Sequence, residues 1–571
     1  MKIQYRPPVE IGGLPQHLHP IIQRIYASRG VLSEQDIKHS TKDLLHYDGL
    51  KQVELAVELL TQAIKNKQKI MIIGDFDADG ATSTAVMVRA LTMLGCVSHH
   101  YLVPNRFEYG YGLSPEIVTM AHQQGAEVIV TVDNGIACLE GVSLAKSLGL
   151  QVIITDHHLP AEALPNADAI VNPNQRDCAF PSKNLAGVGV AFYLMMALRR
   201  HLQQQHWFQE QSIAEPNLGS LLDLVALGTV ADVVPLDTNN RILVHQGVQR
   251  IKAGKCAAGI NALLKVAQKE ATDIDSSTLG FVLGPRLNAA GRLDDMSLGI
   301  QCLLTDNPYE AIQLASKLDS LNSERKEIES GMQKEAEAVL NAFALHDIPH
   351  GIVLYEANWH QGIIGIVAGR VKDKYYRPTI VFAEQDDNTL KGSARSIPGL
   401  HIRDVLEELN TRYPGVILKF GGHAAAAGLA IEQDQLTAFT SLFNQLCEEA
   451  LSPEDLHDAV YSDGSLPIEC LSLDFAQQLK TAGPWGQGFP EPIFDGKFRL
   501  IQHRVLAGKH LKLVLQLENS NELIDAIMFN VDPATCPASS TWLHVAYKLD
   551  INRFRGKVSL QMLVEAIEVL S

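Results

Sequence analysis

The 571-residue sequence lacks the features that mark secreted, membrane-spanning or disordered chains. Its eight cysteines form no CxxC pair, which excludes a disulfide-stapled miniprotein and favours reduced thiols. No stretch of about 18 uncharged apolar residues occurs, since the longest candidate, Leu221–Leu236, is interrupted by Asp223 and Asp232. The opening residues, MKIQYRPPVE, contain no apolar core of a secretory signal. We therefore expect a cytoplasmic protein without a membrane segment.

Positive charge is also in short supply. The 48 basic and 65 acidic residues leave a net charge of −17, with 46% hydrophobic and 20% charged residues. This balance argues against a uniformly basic surface, but a protein that binds phosphates through metal ions needs carboxylates, so nucleic acid is not excluded. Within Asp495–Leu517, basic residues outnumber acidic ones five to one. That stretch faces either a phosphate backbone or solvent on an exposed strand.

Apolar runs alternate with helical segments from about residue 46 to residue 189. Lys69–Ile73, Val128–Val132 and Val152–Thr155 are short continuous runs, and helices are expected at Ala81–Leu94 and Leu139–Leu148. Continuous apolar strands separated by helices predict a parallel sheet covered on both faces. The 45 residues before it, broken by prolines, are expected to form an irregular or helical extension.

The rest of the chain predicts a long helix, a second α/β region and a barrel. Asn307–Phe343 has the apolar spacing of one amphipathic helix of about 37 residues, capped by Asn307. Short alternating strands near the C-terminus favour a five-strand barrel of oligonucleotide-binding type, with a sandwich as the alternative. We therefore expect an α/β, multi-domain chain with an extension at 1–45, a parallel-sheet lobe at 46–306, a connecting helix at 307–345, a smaller α/β lobe at 346–451 and a barrel domain at 455–571.

Acidic and imidazole residues follow the ends of three predicted strands. In chain order they are Asp75, Asp77, Asp79, Asp133, Asp156, His157 and His158. Because ligands bind beyond the carboxyl ends of strands in an open parallel sheet, we expect these side chains to lie together. A single aspartate at a strand end is as well explained by a helix cap, but three such clusters are not.

Divalent metal ions would compensate the repulsion within this cluster. Like charges raise each other's pKa, and a bound cation reverses the effect. Mixed oxygen and imidazole ligands suit Mn²⁺ or Zn²⁺, whereas Mg²⁺ prefers oxygen and water. Two ions about 3.5–4 Å apart suit phosphoester hydrolysis. Asp232, at the end of a predicted buried helix, is expected to be a further ligand, with an arginine ion pair as the alternative.

The order of four motifs resembles that of the DHH phosphoesterases: DFDADG, VDNG, DHH and TVADVVPL. Within them the chain is most similar to the RecJ-type single-strand-specific DNA exonucleases, from about residue 50 to residue 571. Further matching segments are NRFEYGYGL at 105–113, GPRLNAAGR at 284–292, GSAR at 392–395 and GGHAAAAG at 421–428. One departure is Gly369, which stands where the family more often has serine, next to Arg370.

The resemblance implies a fold, an activity and partners. It implies a catalytic lobe and a smaller lobe joined by the long helix around a substrate channel, with a C-terminal oligonucleotide-binding barrel. The activity implied is 5′→3′ digestion of single-stranded DNA to mononucleotides in recombinational and mismatch repair, alongside a helicase and single-stranded-DNA-binding protein. We expect the protein to act as a monomer.

The resemblance also implies roles for individual residues. One Mn²⁺ or Mg²⁺ ion would be held by Asp75, Asp77 and Asp133, and a second by Asp79, Asp133, His157 and Asp232. The catalytic residues implied are Asp133, His157 and His158, the last of them close to the scissile phosphate. The residues expected to contact DNA or its phosphates are Arg106, Arg286, Ser393, Arg395, Gly421, Gly422 and His423. The alternatives are ion pairs for the arginines and a tightly packed strand junction for GGHAAAAG.

Two other interpretations stay open at this point. Some DHH phosphoesterases are short-oligonucleotide or cyclic-dinucleotide phosphodiesterases, or inorganic pyrophosphatases, but these are generally shorter and lack the barrel. An inactive relative acting as a replication scaffold would be expected to lose metal carboxylates, whereas every position of the cluster is filled here. The sequence therefore favours the exonuclease.

Overall fold

Contacts divide the chain into two units, each with its own core. In this computed structural model we describe residues 2–105, 112–340, 348–386, 388–518, 520–531, 535–554 and 556–570. The N-terminal unit consists of Pro7–Asn322 and Ser472–Pro492, and the C-terminal unit of Met1–Arg6, Ser323–Leu471 and Ile493–Ser571. The predicted barrel domain at 455–571 thus includes a stretch that packs within the N-terminal unit. Sequence patterns do not reveal this, because they describe only neighbouring residues.

A five-stranded parallel sheet forms the centre of the N-terminal unit. Its strands, in spatial order, are His99–Leu102, Ile70–Ile73, Val128–Val132, Gln151–Thr155 and Ala169–Val171. Each neighbouring pair is parallel, so the carboxyl ends of the strands meet at one edge. The inner strands are buried on both faces, which explains their unbroken apolar runs. The predicted parallel sheet is confirmed.

Helices surround this sheet. They are Pro20–Ala27, Val53–Lys65, Ala78–Met93, Pro115–Gln123, Leu139–Ser147, Gly187–Gln204, Trp207–Glu210, Leu222–Ala231, Thr238–Lys252, Ala258–Val266, Ser276–Thr278, Gly284–Leu293, Ser297–Leu304 and Leu473–Thr481, with a π-helical turn at Leu279–Leu283. The helix after the first inner strand begins three residues before the predicted Ala81. It does so because the side chain of Asp77 accepts a hydrogen bond from the Gly80 N–H at 3.0 Å and caps the helix there.

The predicted long helix runs from Pro308 to Leu340. The side chain of Asn307 accepts a hydrogen bond from the Tyr309 N–H at 3.0 Å, so the predicted cap is confirmed. Residues 341–343, the predicted end of the helix, lie outside the described residues. Among the helices of the described chain, none combines the length and apolar character needed to cross a membrane.

The first part of the C-terminal unit is a mixed sheet covered by helices. Its strands, in spatial order, are Lys419–Gly422, Ala426–Glu432, Thr389–Arg395, Thr379–Glu384 and Ile352–Tyr355. Only the last two strands of this order are parallel to each other. The helices are Ile364–Tyr375, Ile402–Arg412 and Leu436–Ala450. Apolar residues of the sheet and of the last two helices share one core.

The second part of the C-terminal unit is a closed barrel of five strands. Around the barrel they are Phe494–Leu506, His510–Leu517, Leu523–Met528, Lys557–Val569 and Trp542–Phe554. The predicted barrel is therefore confirmed and the sandwich is wrong. The N-terminal extension contains one strand that the sequence did not predict, Lys2–Tyr5, which pairs in parallel with Ala459–Ser462. A strand of four residues shortly before two prolines is too short for its hydrophobic alternation to predict it.

Candidate metal centre

The loop after the buried strand Ile70–Ile73 leads into the helix Ala78–Met93, so Asp75 and Asp77 lie in the loop and Asp79 lies in the first turn of the helix. Asp75 and Asp79 are 3% and 1% exposed, so their carboxylates are removed from bulk water. The loop turns tightly, because a Cβ atom on Gly80 would lie only 2.6 Å from the backbone oxygen of Asp75. Glycine at this position therefore allows three carboxylates to follow one strand end within five residues.

The carboxylate of Asp79 lies at the N-terminus of the helix Gly187–Gln204. Its two oxygens accept hydrogen bonds from the backbone N–H groups of Gly187, at 2.6 Å, and Val188, at 2.9 Å. Helix N-termini favour negative charge, so these bonds stabilise the ionised form of a buried carboxylate. The same bonds hold the side chain of Asp79 in one orientation.

Asp133 follows the strand Val128–Val132 with a left-handed backbone conformation, at a φ of +61°. This conformation is uncommon outside glycine and persists where the surroundings hold it. The N–H of Asp133 donates to the carbonyl of Thr155 at 3.1 Å, and the side chain of Asn134 donates to the carbonyl of Ile73 at 3.1 Å. The two neighbouring strands thus orient the buried carboxylate of Asp133.

The strand Gln151–Thr155 is followed by an aspartate that orients a histidine. Asp156 Oδ1 accepts hydrogen bonds from Nδ1 of His158 and from the backbone N–H of His157, both at 2.7 Å, and its Oδ2 accepts one from the Ile136 N–H at 2.9 Å. Burial alone would lower the pKa of His158, but its bond with Asp156 and the nearby carboxylates outweigh burial and raise the pKa to about 9. Asp156 therefore fixes the orientation of the His158 imidazole.

Asp232 ends the buried helix Leu222–Ala231 and reaches the cluster from a separate element. Its Oδ2 lies 3.6 Å from Nε2 of His157. The next residue, Val233, has a φ of +65°, which is an outlier for a β-branched side chain. The chain therefore turns sharply immediately beyond this carboxylate.

The imidazole of His157 brings the carboxylates together. Its Nε2 lies 3.1 Å from Oδ1 of Asp133 and 4.0 Å from Oδ2 of Asp79. Three groups have ligand atoms within 4.8 Å of one another: Asp75, Asp77 and Asp133; Asp79, His157 and Asp232; and Asp133, His157 and His158. Asp133 is common to the all-aspartate group and to the group that contains both histidines.

Crowding of these carboxylates perturbs their pKa values in the way that a cation would correct. Burial, followed by the charge of Asp77, raises the pKa of Asp79 to about 7. Burial and the neighbouring aspartates also hold the pKa values of Asp133 and Asp232 well above their ordinary range. A divalent cation favours the ionised forms. Oxygen and imidazole donors without a thiolate fit Mn²⁺, and an all-aspartate group also fits Mg²⁺.

Two residues that sequence reasoning missed support the segment Asp75–Asp79 from an adjacent helix. Oδ1 of Asn288 accepts a hydrogen bond from the backbone N–H of Ala78 at 2.7 Å. Gly291 allows that helix to approach closely, because a Cβ atom there would collide with the carbonyl oxygen of Phe76. Both lie in GPRLNAAGR, where the small residues indicate close packing but not the element against which they pack.

The predicted phosphate-binding residues of the C-terminal unit lie on adjacent strands. Ser393 and Gly421 both pair with Gly428 of the strand between them. Nη1 of Arg395 donates to Oγ of Ser393 at 3.3 Å, and burial lowers the pKa of this guanidinium. A Cβ atom on Gly365 would lie 2.8 Å from Oγ of Ser393 and 3.0 Å from Nη2 of Arg395. The first turn of a helix therefore meets these polar atoms directly.

The end of GGHAAAAG's first strand is a tight turn. Gly422 has a φ of +147°, and a Cβ atom there would lie 2.5 Å from the carbonyl oxygen of Ala426. The backbone N–H of His423 donates to that same carbonyl at 2.8 Å, and its side chain is exposed. The glycine is thus required by the turn, while the imidazole of His423 is accessible.

The predicted DNA-contacting arginines of the N-terminal unit have different outcomes. Nη2 of Arg286 lies 2.8 Å from Oδ1 of Asp319 on the long helix, which is the ion-pair alternative. Arg106 lies outside the described residues.

The departure at Gly369 has a simple structural context. A Cβ atom there would meet nothing within 4 Å, so the serine more common in the family would also fit. Nε of the adjacent Arg370 lies 3.0 Å from Oε1 of Glu329. Arg370 is therefore engaged by a carboxylate of the long helix.

A parallel sheet whose carboxyl edge carries aspartates and histidines in metal-ligating groups, followed by a second α/β sheet, defines a DHH-type phosphoesterase. Family models agree: the DHH family N-terminal domain matches residues 69–229, the DHHA1 domain 349–449 and the RecJ OB domain 462–566. The single-stranded-DNA-specific exonuclease RecJ of Escherichia coli K12 is 56% identical over 98% of this chain and 97% of its own length. The chain belongs to the RecJ family of single-stranded-DNA-specific exonucleases.

More distant relatives agree with this assignment. The single-stranded-DNA-specific exonuclease RecJ of Bacillus subtilis 168 is 33% identical over 96% of this chain and 68% of its own length. Among solved structures, RecJ of Thermus thermophilus in complex with Mn²⁺ superposes with a TM-score of 0.78 at 28% identity, covering 96% of this chain and 76% of that one. The Mg²⁺ complex of the same protein gives a TM-score of 0.73 at 26% identity, covering 96% of this chain and 74% of that one.

Proposed function

We propose that this chain digests single-stranded DNA from its 5′ end and releases 5′-mononucleotides, using two divalent ions, Mn²⁺ or Mg²⁺. The observation that carries the proposal is the convergence of three strand ends and one helix end on the imidazole of His157. Ligand groups drawn from four separate elements form a site built for ions rather than a helix cap.

Each ion has its own set of ligands in this proposal. One ion is held by Asp75, Asp77 and Asp133, and the other by Asp79, Asp133, His157 and Asp232. The ligand atoms of the first set lie within 4.8 Å of one another, and so do those of Asp79, His157 and Asp232 in the second. Bound there, the ions supply an activated water for attack on phosphorus and positive charge for the phosphate oxygens.

The protein's own groups orient the reactants. Asp156 holds the Nδ1 proton of His158, so the charged imidazole keeps one orientation beside the ligands. There it balances negative charge on the scissile phosphate. The N–H groups of Gly187 and Val188 fix the carboxylate of Asp79, so no ligand reorganisation is needed when the substrate arrives.

The C-terminal unit contributes contacts to the strand. The half-buried guanidinium of Arg395 presents a planar fork suited to phosphate oxygens, next to the hydroxyl of Ser393. Gly421, Gly422 and His423 offer close backbone approach and an accessible imidazole. The exposed basic side chains of the barrel, Lys497, Arg499 and Arg504, follow the backbone of the bound strand.

The cellular setting follows from the substrate. A single-strand-specific exonuclease needs a duplex to be opened first, which is the work of a helicase, and meets strands covered by single-stranded-DNA-binding protein. We place the chain, as a monomer, in cytoplasmic recombinational and mismatch repair alongside these two partners.

Digestion of end-labelled DNA tests the proposed activity. Single strands and blunt duplexes carrying a 5′ or a 3′ label are incubated with Mn²⁺, Mg²⁺ or a chelator. We expect metal-dependent release of labelled mononucleotide from 5′-labelled single strands at once, and from 3′-labelled strands only at the end. Early release from 3′-labelled strands, or equal digestion of the duplex, contradicts the proposal.

A pair of matched variants tests the role of the ligands. Asp133→Asn is expected to lower the rate on the order of 10³-fold or more, because a neutral amide oxygen would bind divalent cations more weakly than the carboxylate does. Asp223→Asn is the control, since Asp223 is similarly buried but lies outside the cluster. Its carboxylate accepts a hydrogen bond of 2.7 Å from the Ala257 N–H. Similar rates in the two variants argue against the assigned role of Asp133.

A further inference from the structure

The segment Ser472–Pro492, here called the return segment, belongs to the N-terminal unit although the chain on both sides of it belongs to the C-terminal unit. It consists of the helix Leu473–Thr481 and a loop rich in glycine and proline, GPWGQGFPEP, at 483–492. Neither the predicted motifs nor the proposed activity gives this loop a role. Its contacts do.

The loop is anchored to several elements of the N-terminal unit. The hydroxyl of Tyr26 donates to the carbonyl of Ala482 at 2.8 Å, and Oγ of the buried Ser276 donates to the carbonyl of Trp485 at 2.6 Å. Nε of Arg29 donates to the carbonyl of Pro490 at 2.7 Å. These bonds use backbone carbonyls along the return segment, so they fix the path of its backbone rather than single side chains.

The same loop binds the chain three to four residues beyond Asp232. The backbone N–H of Leu236 donates to the carbonyl of Gln487 at 2.7 Å. Gly488 has a φ of +70°, and a Cβ atom there would lie 3.1 Å from Cβ of Pro235. The backbone at Gly488 therefore packs so closely against Pro235 that a side chain at this position would be in tight contact with it.

A buried arginine completes the attachment. Nη1 of Arg241 donates to the carbonyl of Leu236 at 3.0 Å, and its guanidinium lies 4.3 Å from the ring centroid of Phe489. The ring of Phe489 in turn stacks on Trp485 at 5.1 Å. The chain beyond Asp232 is thus held at both the N–H and the carbonyl of Leu236.

These attachments explain how an unfavourable backbone conformation persists next to a metal ligand. Val233 keeps its positive φ although the residue is 62% exposed and therefore has little packing of its own to hold it. Outlier conformations last only where the surrounding structure over-determines them. Besides the hydrogen bonds from the Val233 N–H to the Val230 carbonyl, at 3.2 Å, and from the Asn240 side chain to the Pro235 carbonyl, at 3.0 Å, the surrounding structure includes the return segment and Arg241, which act two to three residues further along the chain.

We propose that the return segment is a positioning element for the metal centre: by clamping Pro235 and Leu236 it holds the strained turn at Val233 and so aims the carboxylate of Asp232. This inference rests on the proposed role of Asp232 as a ligand. It assigns a part in metal binding to residues more than 200 positions away in the sequence.

Mn²⁺ titration calorimetry on the full-length protein tests the inference. Gly488→Ala is expected to weaken Mn²⁺ binding by about 10-fold or more, the size of effect seen when the partners of metal ligands are lost. Its exonuclease rate should return as Mn²⁺ is raised, which a general folding defect would not allow. The matched control is Gly254→Ala, where φ is +66° and a Cβ atom meets nothing within 4 Å, so it has the same backbone strain without the contact.

Two further variants make every outcome decisive. If Gly488→Ala does not fold by circular dichroism, Phe489→Leu, which removes the ring over Arg241, replaces it under the same criterion. Mn²⁺ affinity equal to that of Gly254→Ala in the folded variant overturns the inference. Asp232→Asn separates the two proposals. If Asp232→Asn weakens Mn²⁺ binding while the return-segment variant does not, only the positioning role fails. If Asp232→Asn binds Mn²⁺ normally, the role of Asp232 as a ligand and this inference both fail.

Discussion

Gly187→Ala should disable the metal centre while leaving the fold intact. A Cβ atom on Gly187 would lie 2.5 Å from Cβ, 2.6 Å from Oδ1 and 2.7 Å from Cγ of Asp133. Gly187 is the first residue of a helix and its φ lies outside the left-handed region, so alanine introduces no backbone strain there. The substitution therefore adds one methyl group directly against the carboxylate proposed to be shared by both ions.

The distances set the size of the effect. Ordinary Cβ contacts begin at 3.4 Å, so the side chain of Asp133 has to retreat by about 0.9 Å. A misplacement of about 1 Å in a catalytic constellation costs on the order of 10²-fold in rate, or ~2.7 kcal/mol. Overpacking costs roughly 1–3 kcal/mol of stability, partly offset by the higher helix propensity of alanine, worth up to ~1 kcal/mol. The net loss of stability, about 0–3 kcal/mol, is smaller than the roughly 5–15 kcal/mol that keeps a domain folded, so the rate should fall about 100-fold in a protein that still folds.

The assay compares three measurements on the variant and on a control from the same helix. They are kcat/KM on a 5′-labelled single strand, Mn²⁺ affinity by calorimetry, and thermal unfolding without metal. The control is Gly189→Ala, whose Cβ atom would meet Cδ2 of Leu185, a flexible side-chain end, at 3.1 Å. If Gly187→Ala retains the rate and Mn²⁺ affinity of Gly189→Ala, the close approach to Asp133 does not matter and the reasoning is wrong.

Three other predictions follow from single contacts. Asn288→Ala removes the acceptor of the Ala78 N–H, so we expect about 1 kcal/mol lower stability and roughly 10-fold weaker Mn²⁺ binding by calorimetry. Asp156→Asn removes the charge beside His158, so NMR titration of the metal-free protein should find the pKa of that imidazole below 9, with a rate about 10-fold lower or more. Burial, and then the stacked ring of His245, lower the pKa of His39 from 6.5 to about 4. Between these pH values the unfolded state binds a proton that the folded state does not, so stability should fall by up to about 3 kcal/mol as the pH drops from 6.5 to about 4. His39→Gln should lessen this loss, which thermal unfolding at a series of pH values measures.

Much of the candidate site could be predicted because the site of a parallel sheet lies at the carboxyl ends of its strands, and strands of this kind can be recognised from the sequence. Asp75, Asp133 and Asp156 each come one or two residues after a largely apolar run, and such runs mark strands that are buried on both faces. Asp232 required a different argument, the cost of a carboxylate at the end of a buried helix. These residues do lie together, whereas their division between two ions and the division of the chain into five segments stay predictions.

What the sequence determined by itself is therefore the three central strands of the parallel sheet, their order along the chain and the chemistry at their ends, since each depends on residues a few positions apart; the two outer strands, His99–Leu102 and Ala169–Val171, were not predicted. Only the tertiary structure decided what holds these side chains in place. The helix N-terminus at Gly187 binds Asp79, the amide oxygen of Asn288 binds the Ala78 N–H, and the return segment binds the chain beyond Asp232. Hydrophobic periodicity reports which face of an element is buried, but not which element buries it. Contacts between distant segments depend on packing in three dimensions, and a single sequence carries no direct record of that packing.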